Sequence, residues 1–329
     1  MFLTGGLIRM ISHNSNCRGV VLTGLFIAIT FILTHGLSYG QSKELIEAAK
    51  REGKVVGFTS LDSNTTAKLM SVFEKKYGIK GSFFRSSATT VMDKALVEYR
   101  AGKVTHDAVF TNAGAMEVMK KEGLFTSYVS PSSKNYDKNV VDKFFGPRYR
   151  SVIIGIVYNS QIIKKGDVPR SYEDLLDPKW KGKLITSDPT RHTTTTMWMS
   201  SLHKVLGSKE KADEWVKKFA AQKPMLVRSL RPAIKSIGSG ERPLGIAYLH
   251  HVFIYGKKGA PLEYVRDLPG YLGDGHYIGL SSKSPHPNAA KLFIDFFLSQ
   301  ESMEIMAKRG EFVSRKGVYP PLPGADKAS

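Results

Sequence analysis

Short apolar runs alternate with amphipathic segments along most of the chain. Residues 54–59 (KVVGFT) form an apolar run with β-branched side chains, which favours a strand. Apolar residues then recur at helical spacing through residues 69–77, and a glycine follows as a stop signal. The same order repeats with a strand at 83–84, a helix through 91–99 and a third strand at 107–110. This alternation predicts an α/β protein whose parallel sheet is covered by helices.

Small polar residues follow each of these three strands. Ligands of such sheets bind beyond the carboxyl ends of the strands. Hydroxyl and amide side chains also cap helices, so some of these residues should serve as caps instead. We predict ligand contact from this set, which comprises Thr59, Ser60, Ser86, Ser87, Thr111 and Asn112.

The second half of the chain contributes a more polar turn before a helix. Residues 187–196 contain an Arg-His pair and four consecutive threonines, and the helix that follows carries Trp198. Free backbone N–H groups at a helix start favour an anion. One capping residue would explain one threonine, but not four beside an Arg-His pair. We therefore predict ligand contact from Arg191, His192, Thr193 and Thr194.

Two later strand ends add further candidates. Residues 225–230 contain another strand end, at Arg228 and Ser229, and the helix after it stops near residue 240. A strand at 245–249 (GIAYL) leads into two adjacent histidines. From these ends we predict Arg228, Ser229, Tyr248 and His250 as ligand-binding residues.

Two blocks of sequence resemble a known family. The first combines Tyr-Asn at 158–159, at the end of a long strand that starts at 151, with Pro-x-Ser-Tyr-x-Asp-Leu at 169–175 and Asp-Pro-x-Trp-Lys-Gly-Lys at 177–183. The second is Tyr-Ile-Gly-Leu at 277–280, followed by Pro-x-x-Ala-x-x-Phe at 287–293. Together they resemble the periplasmic solute-binding proteins of ABC transporters, in the branch that includes ferric-iron, thiamine, phosphonate and sugar-phosphate receptors.

The resemblance implies an α/β fold of the type II periplasmic-binding-protein class, with two lobes joined by two crossing strands. The ligand would lie in the cleft and be captured by hinge closure. We place the crossings near 151–156 and 277–281. The implied division is lobe 1 at 41–152 plus 280–310, lobe 2 at 153–277, and a C-terminal tail at 311–329 that packs back across.

The resemblance also implies what the chain binds and what it works with. A small-molecule ligand and an inner-membrane ABC permease are the expected partners, and we expect a monomer without a cofactor. In similar receptors the turn before the threonine-rich helix holds a ligand anion, so the resemblance gives that role to Thr193 and Thr194.

The ferric receptors differ from this chain at one informative place. They carry paired tyrosines where this sequence has His250 and His251. Imidazole is a softer and neutral donor compared with phenolate, which suits ferric ion. On a strand, adjacent side chains point to opposite faces, so we expect at most one of the two histidines in the cleft. We predict an anion-binding histidine and no metal site. Tyr248 and Tyr255 could each supply a phenol, so a ferric-iron receptor remains an alternative. A thiamine receptor of the same fold is a further alternative.

The N-terminal segment has its own pattern. Arg9 and Arg18 are the only charged residues among the first 42, and residues 20–33 form an apolar run. The run is shorter than the roughly 20 residues that span a bilayer, but it suits the core of a secretory signal. Small residues at Ser38 and Gly40 predict cleavage after Gly40 and a periplasmic mature protein; the alternative is an uncleaved membrane anchor.

Composition excludes several classes of site. The single cysteine, Cys17, precedes the apolar run and would leave with the signal, which removes any disulfide, thiol nucleophile or cysteine metal site. The chain carries a formal net charge of +19, but its basic residues are spread over helix faces without a concentrated arm or an aromatic motif. We therefore expect no nucleic-acid partner, and we expect the basic surface to attract anionic solutes.

A secreted hydrolase is the rival from another class. It would need a Gly-x-Ser-x-Gly elbow, a His-Glu-x-x-His motif or a comparable catalytic set. The sequence has no His-Glu-x-x-His, and its one Gly-x-Ser-x-Gly match, at 36–40, lies in the predicted signal segment that cleavage would remove. We expect a binding protein without catalytic residues.

Overall fold

The apolar runs form strands where the sequence predicts them. A computed structural model describes residues 42–328, so the predicted signal segment and its cleavage site lie outside the described residues. The described strands are β1 Lys54–Thr59, β2 Lys80–Arg85, β3 Ala108–Asn112, β4 Phe125–Thr126, β5 Val141–Asp142, β6 Gly146–Pro147, β7 Arg150–Asn159, β8 Leu184–Ser187, β9 Met225–Val227, β10 Leu244–Tyr248, β11 Leu262–Tyr264, β12 Leu272–Ser281 and β13 Phe312–Val313.

Helices cover both halves of the described chain. They are α1 Lys43–Glu52, α2 Ser63–Tyr77, α3 Ala88–Arg100, α4 Ala113–Lys121, α5 Thr193–Ser201, α6 His203–Leu206, α7 Lys209–Ala221, α8 Leu230–Ser239, α9 Leu249–Gly256, α10 Pro287–Phe297, α11 Gln300–Ala307 and α12 Ala325–Ala328. Short 3₁₀ turns lie at Pro131–Asn135, Lys138–Val140, Lys165–Asp167, Glu173–Leu176 and Pro178–Trp180. None of the helices in this part of the chain is long and apolar enough to span a membrane.

Eight of the described strands lie side by side in the order β2-β1-β3-β12-β7-β10-β8-β9. The first three are parallel, as the alternation of strands and helices predicts. The two long strands β7 and β12 run antiparallel to each other in the middle of the order, so the sheet as a whole is mixed. The α/β class predicted from the sequence is confirmed.

β12 lies between two groups of strands, with β2, β1 and β3 on one side and β7, β10, β8 and β9 on the other. Its first half pairs with β7, from Leu272 beside Ile154 to His276 beside Arg150. Its second half pairs with β3, where His276 lies beside Asn112. His276 therefore lies between the two groups of strands. The lobe boundaries given above stay a prediction.

Separate hydrophobic cores lie on the two sides of this passage. One gathers buried side chains from β7 through β12, including Trp198 and Trp215. Another is aromatic, with the rings of Phe73 and Phe293 in a T-shaped contact at 5.2 Å. Phe293 is the last residue of the Pro-x-x-Ala-x-x-Phe block, so that block is a core-packing element. β13 links the two cores, because Phe312 packs in the first and Val313 in the second.

The segment after β10 differs from the sequence-based expectation. The strand ends at Tyr248, and α9 begins at Leu249, so His250 and His251 lie in the first turn of a helix. A strand would have sent the two side chains to opposite faces; here both line one cavity, so the expectation of at most one histidine in the cleft is wrong. The run Leu-His-His-Val-Phe-Ile-Tyr is apolar enough for either element, and Tyr248 makes no side-chain capping bond that would have marked a helix start.

Candidate functional site

Strand ends and helix starts from both groups of strands surround a cavity of about 500 Å³. Its size is within the range of small-molecule sites. Most of the residues predicted from the strand ends line this cavity, namely Ser60, Ser86, Ser87, Arg191, His192, Thr193, Thr194, Arg228, Ser229, Tyr248 and His250. The structure therefore brings together turns that lie up to 190 residues apart in sequence, since both Ser60 and His250 lie in the lining.

Three predicted residues lie behind the cavity wall. Thr59, Thr111 and Asn112 are fully buried and do not line the cavity. The Thr59 hydroxyl donates to the Phe110 carbonyl at 3.0 Å, and the Thr111 hydroxyl lies 2.8 Å from that of Ser60. These side chains hold the wall in place.

Helix starts converge on the cavity. Ser87, His192, Ser229 and Tyr248 are the residues that precede α3, α5, α8 and α9. Only Ser87 of these four caps its helix, by accepting from the Thr90 amide at 3.2 Å. The first N–H groups of a helix have no partner inside the helix, and the helix dipole adds positive potential there. The other three helix starts therefore offer donors to an anion.

Five arginines of the described chain line the cavity, and two of them are neutralised by ion pairs. Arg150 forms a buried ion pair with Glu311, and Arg231 forms a partly exposed ion pair with Asp62 at 3.1 Å. The other three are Arg85, Arg191 and Arg228. Within residues 42–328, no carboxylate lies within 4 Å of these three guanidinium groups.

Arg85 is the most enclosed of the three unpaired arginines. It is half-buried, while Arg191 and Arg228 are exposed. Burial lowers the pKa of Arg85, and the nearby charge of Arg231 lowers it further. A guanidinium still keeps its proton at neutral pH, because its ordinary pKa is so high. Sequence reasoning missed Arg85, although it directly precedes the predicted Ser86-Ser87 turn.

Four histidines border the same cavity: His192, His250, His251 and His276. Burial lowers the pKa of His192 to about 4, and it lowers the pKa of the other three well below the usual value. All four are therefore neutral at pH 7. In the described chain, Nδ1 of His250, Nδ1 of His251 and Nε2 of His276 are buried without a hydrogen-bond partner. Sequence reasoning missed His276 because it is in the interior of a long strand.

Tyr248 joins the histidines to the cavity wall. Its hydroxyl lies 3.3 Å from Nε2 of His192, and its ring stacks on His250 with centroids 5.1 Å apart. Burial raises the pKa of Tyr248, so the phenol keeps its proton at neutral pH. Tyr255 does not line this cavity and packs its ring against His251. Within residues 42–328, no group of three or more His, Cys, Asp or Glu side chains is arranged to hold a metal ion.

A buried polar network supports the start of α5. The Asn112 amide donates to the Asp274 carboxylate at 3.0 Å and to the hydroxyls of Thr193 and Thr194 at 3.3 and 3.4 Å. Burial raises the pKa of Asp274 to about 6. Asn112, predicted as a ligand contact, thus positions two threonines that do line the cavity.

Comparison with solved structures establishes what kind of fold holds this site. The chain aligns with the periplasmic binding protein AfuA of Actinobacillus pleuropneumoniae, solved with fructose-6-phosphate, at a TM-score of 0.72 and 24% identity, covering 82% of this chain and 87% of that one. It aligns with iron-bound HitA of Pseudomonas aeruginosa at a TM-score of 0.70 and 19% identity, covering 82% and 89%. These likenesses confirm the two-lobed fold of type II periplasmic binding proteins.

Sequence comparison extends to most of the chain. A protein of Haemophilus influenzae is 26% identical over 295 residues, which cover 86% of this chain and 82% of that protein. The family model described as bacterial extracellular solute-binding protein matches residues 106–327. Members of this family are binding proteins that serve importers. The chain therefore belongs to the bacterial extracellular solute-binding proteins, the receptors that deliver a small molecule to an ABC importer.

Proposed function

We propose that this receptor captures a small anionic solute, a carboxylate, phosphate or phosphonate compound, in the cavity between its two groups of strands. The observation that carries the proposal is the set of three arginines, Arg85, Arg191 and Arg228, that face the cavity without a carboxylate partner. A guanidinium binds carboxylate or phosphate oxygens through two parallel hydrogen bonds. An anion would supply the counter-charge that the described protein lacks at these groups.

Neutral donors complete the recognition of an anion. The helix starts at His192, Ser229 and Tyr248 present backbone N–H groups, and Ser60, Ser86 and Thr193 add hydroxyls. Hydrogen bonds to a charged group are worth about 1.5–3 kcal/mol each, so a few of them suffice for tight binding. Such donors bind oxygen anions in preference to cations.

Ferric ion is the second candidate. Tyr248 lies at the cavity with His192 and His250, which are potential metal ligands, and iron is bound in the solved structure of HitA. Two features weigh against iron. The Tyr248 phenol holds its proton because burial raises its pKa, and the nearest cations are arginines that repel a metal ion.

The hydrolase alternative rests on one serine–histidine contact. Oγ of Ser187 lies 3.2 Å from Nδ1 of His192. A catalytic triad would place a carboxylate on the other ring nitrogen, whereas Nε2 of His192 faces the Tyr248 hydroxyl. Ser187 is also fully buried and does not line the cavity. We therefore propose a receptor without catalytic activity.

The remaining parts of the proposal concern the cell. We propose that the protein is exported through a signal cleaved after Gly40, that it acts as a monomer in the periplasm, and that an inner-membrane ABC permease receives the solute.

Isothermal titration calorimetry tests the proposed ligand class. The purified protein is titrated with phosphate esters, phosphonates, carboxylates, thiamine and ferric ion under identical conditions. We expect at least one of the anions to bind, and we expect Arg85→Gln to weaken that binding while Arg51→Gln, on the exposed end of α1, leaves it unchanged. Binding of ferric ion or thiamine without binding of any anion would contradict the proposal.

A further inference from the structure

A second cavity of about 630 Å³ adjoins the first. The two cavities share four wall residues: Asp62, Arg231, His251 and Ile254. The ion pair between Asp62 and Arg231, at 3.1 Å, is therefore part of the boundary between them. The two cavities therefore meet at this ion pair, and a molecule that occupies both must pass it.

The second cavity is lined by cations that have no counter-charge in the described protein. These are Lys68, Lys257, Lys258, Lys308 and Arg309. No carboxylate of residues 42–328 lies within 4 Å of any of them. Among the described residues, the sole carboxylate in the lining is that of Asp62, which forms an ion pair with Arg231.

These cations come from three separate elements of the fold. Lys68 is in α2, Lys257 and Lys258 directly follow α9, and the last two follow α11. Like charges brought together by folding repel one another, and the repulsion is relieved when an anion binds between them. The fold therefore concentrates positive potential at one place that local sequence does not reveal.

His251 provides a second observation at the boundary. Its side chain is 4% exposed, it lines both cavities, and its Nδ1 is buried without a hydrogen-bond partner in the described chain. A buried polar atom without a partner costs free energy unless a ligand or water supplies one. A polar group of a solute that crosses the boundary would satisfy this nitrogen.

We propose that the solute carries two anionic groups, one bound by the arginines of the first cavity and the other bound by the lysines of the second. This inference rests on the proposed function and narrows it to an elongated solute with an anionic group at each end, of which an organic bisphosphate is the chemical type. The middle of such a molecule would pass Asp62, whose carboxylate accepts hydrogen bonds and therefore fits hydroxyl groups better than a third anion.

Matched pairs of anions test the inference by calorimetry. The probes are inorganic phosphate with pyrophosphate, fructose 6-phosphate with fructose 1,6-bisphosphate, and ribulose 5-phosphate with ribulose 1,5-bisphosphate. We expect one bisphosphate to bind about tenfold or more tighter than its monophosphate, since each exposed ion pair adds a few-fold. The double variant Lys257→Gln/Lys258→Gln should remove most of this ratio and leave the monophosphate affinity unchanged.

The control is Lys211→Gln/Lys217→Gln, which removes two exposed lysines of α7 that line neither cavity. It should keep the full ratio of affinities. Equal binding within every pair, with monophosphates still bound, would overturn the inference of two anionic groups and leave the proposed function standing. The inference would also be overturned if the control variant lost the affinity ratio to the same extent. The same holds if the Lys257 and Lys258 variant lost as much affinity for monophosphate as for bisphosphate, because the overall positive charge of the protein would then explain the preference. Failure of all six phosphate compounds to bind would overturn this inference. The proposed function would be overturned with it if the carboxylates and phosphonates of the wider panel also failed to bind.

Discussion

The amide of Asn112 donates a hydrogen bond to the carboxylate of Asp274 over 3.0 Å, although 162 residues separate them in sequence. Asn112 ends β3 and Asp274 lies in β12, so the bond joins neighbouring strands. The same amide reaches the threonines at the start of α5. The position of the cavity's threonines thus depends on a titratable group in the long strand that passes between the two groups of strands.

The first prediction concerns pH and Asp274. Burial raises the pKa of Asp274 to about 6, so the native state holds its proton more tightly than the unfolded state does. The contribution of Asp274 to the free energy of unfolding should therefore be largest at pH 4 and should fall as the pH rises to about 6, by up to about 3 kcal/mol. Urea denaturation at pH 4.5 and pH 7 should show that Asp274→Asn gains stability, relative to the unaltered protein, at the higher pH. A variant that follows the unaltered protein at both pH values would refute this account.

The second prediction concerns His192. Burial lowers its pKa to about 4, so the unfolded state binds a proton more readily than the native state does. The contribution of His192 to the free energy of unfolding has its full value above pH 6.5. It is lost as the pH falls toward 4, with a loss of about 2 kcal/mol at pH 5. His192→Gln should flatten the fall in the free energy of unfolding between pH 7 and pH 5. His203→Gln, at an exposed histidine outside the cavity, serves as the control and should keep the slope.

The third prediction concerns the two threonines at the start of α5. Both line the cavity, and both accept a hydrogen bond from Asn112. Losing one charge-assisted hydrogen bond weakens binding about tenfold to a hundredfold, so Thr193→Ala with Thr194→Ala should reduce anion affinity by at least that much. Calorimetry measures the affinity, and circular dichroism checks that the variant is folded. The control Thr126→Ala, at an exposed position of β4, should change neither the anion affinity nor the circular dichroism spectrum. An unchanged affinity in the double variant would show that the two hydroxyls do not contact the ligand.

The fourth prediction concerns motion. Residues on both sides of the passage made by β12 line one cavity, so a bound anion should hold the two groups of strands together. Small-angle X-ray scattering should show a smaller radius of gyration when an anion identified by calorimetry is present. Tight binding without compaction would count against hinge closure.

Local sequence patterns predicted most of the elements because their causes are local. β1 runs over residues 54–59 as expected, and α2 ends before Gly78, which adopts the left-handed conformation at φ 71°. Capping by some of the polar residues at strand ends was also expected, and Ser87 and Asn112 both cap helices through their side chains. Hydrophobic periodicity and capping depend on neighbours in sequence, so a single sequence carries them.

The charged part of the site could not be predicted in the same way. Arg150 and Glu311 form a buried pair across 161 residues, and neither lies in a turn that marks a strand end. His276 faces the cavity from the interior of a strand, where alternation alone does not say which side holds a ligand. These residues meet because of how distant strands pair, and pairing across the sheet has no local signature.

Native mass spectrometry of the protein purified from periplasm identifies the bound solute without a choice of probes. We expect a bound small molecule with phosphate, phosphonate or carboxylate groups, which is lost when Arg85, Arg191 and Arg228 are replaced by glutamine. A protein that carries iron or an organic cation instead, and that keeps it in the same triple variant, would contradict the claim.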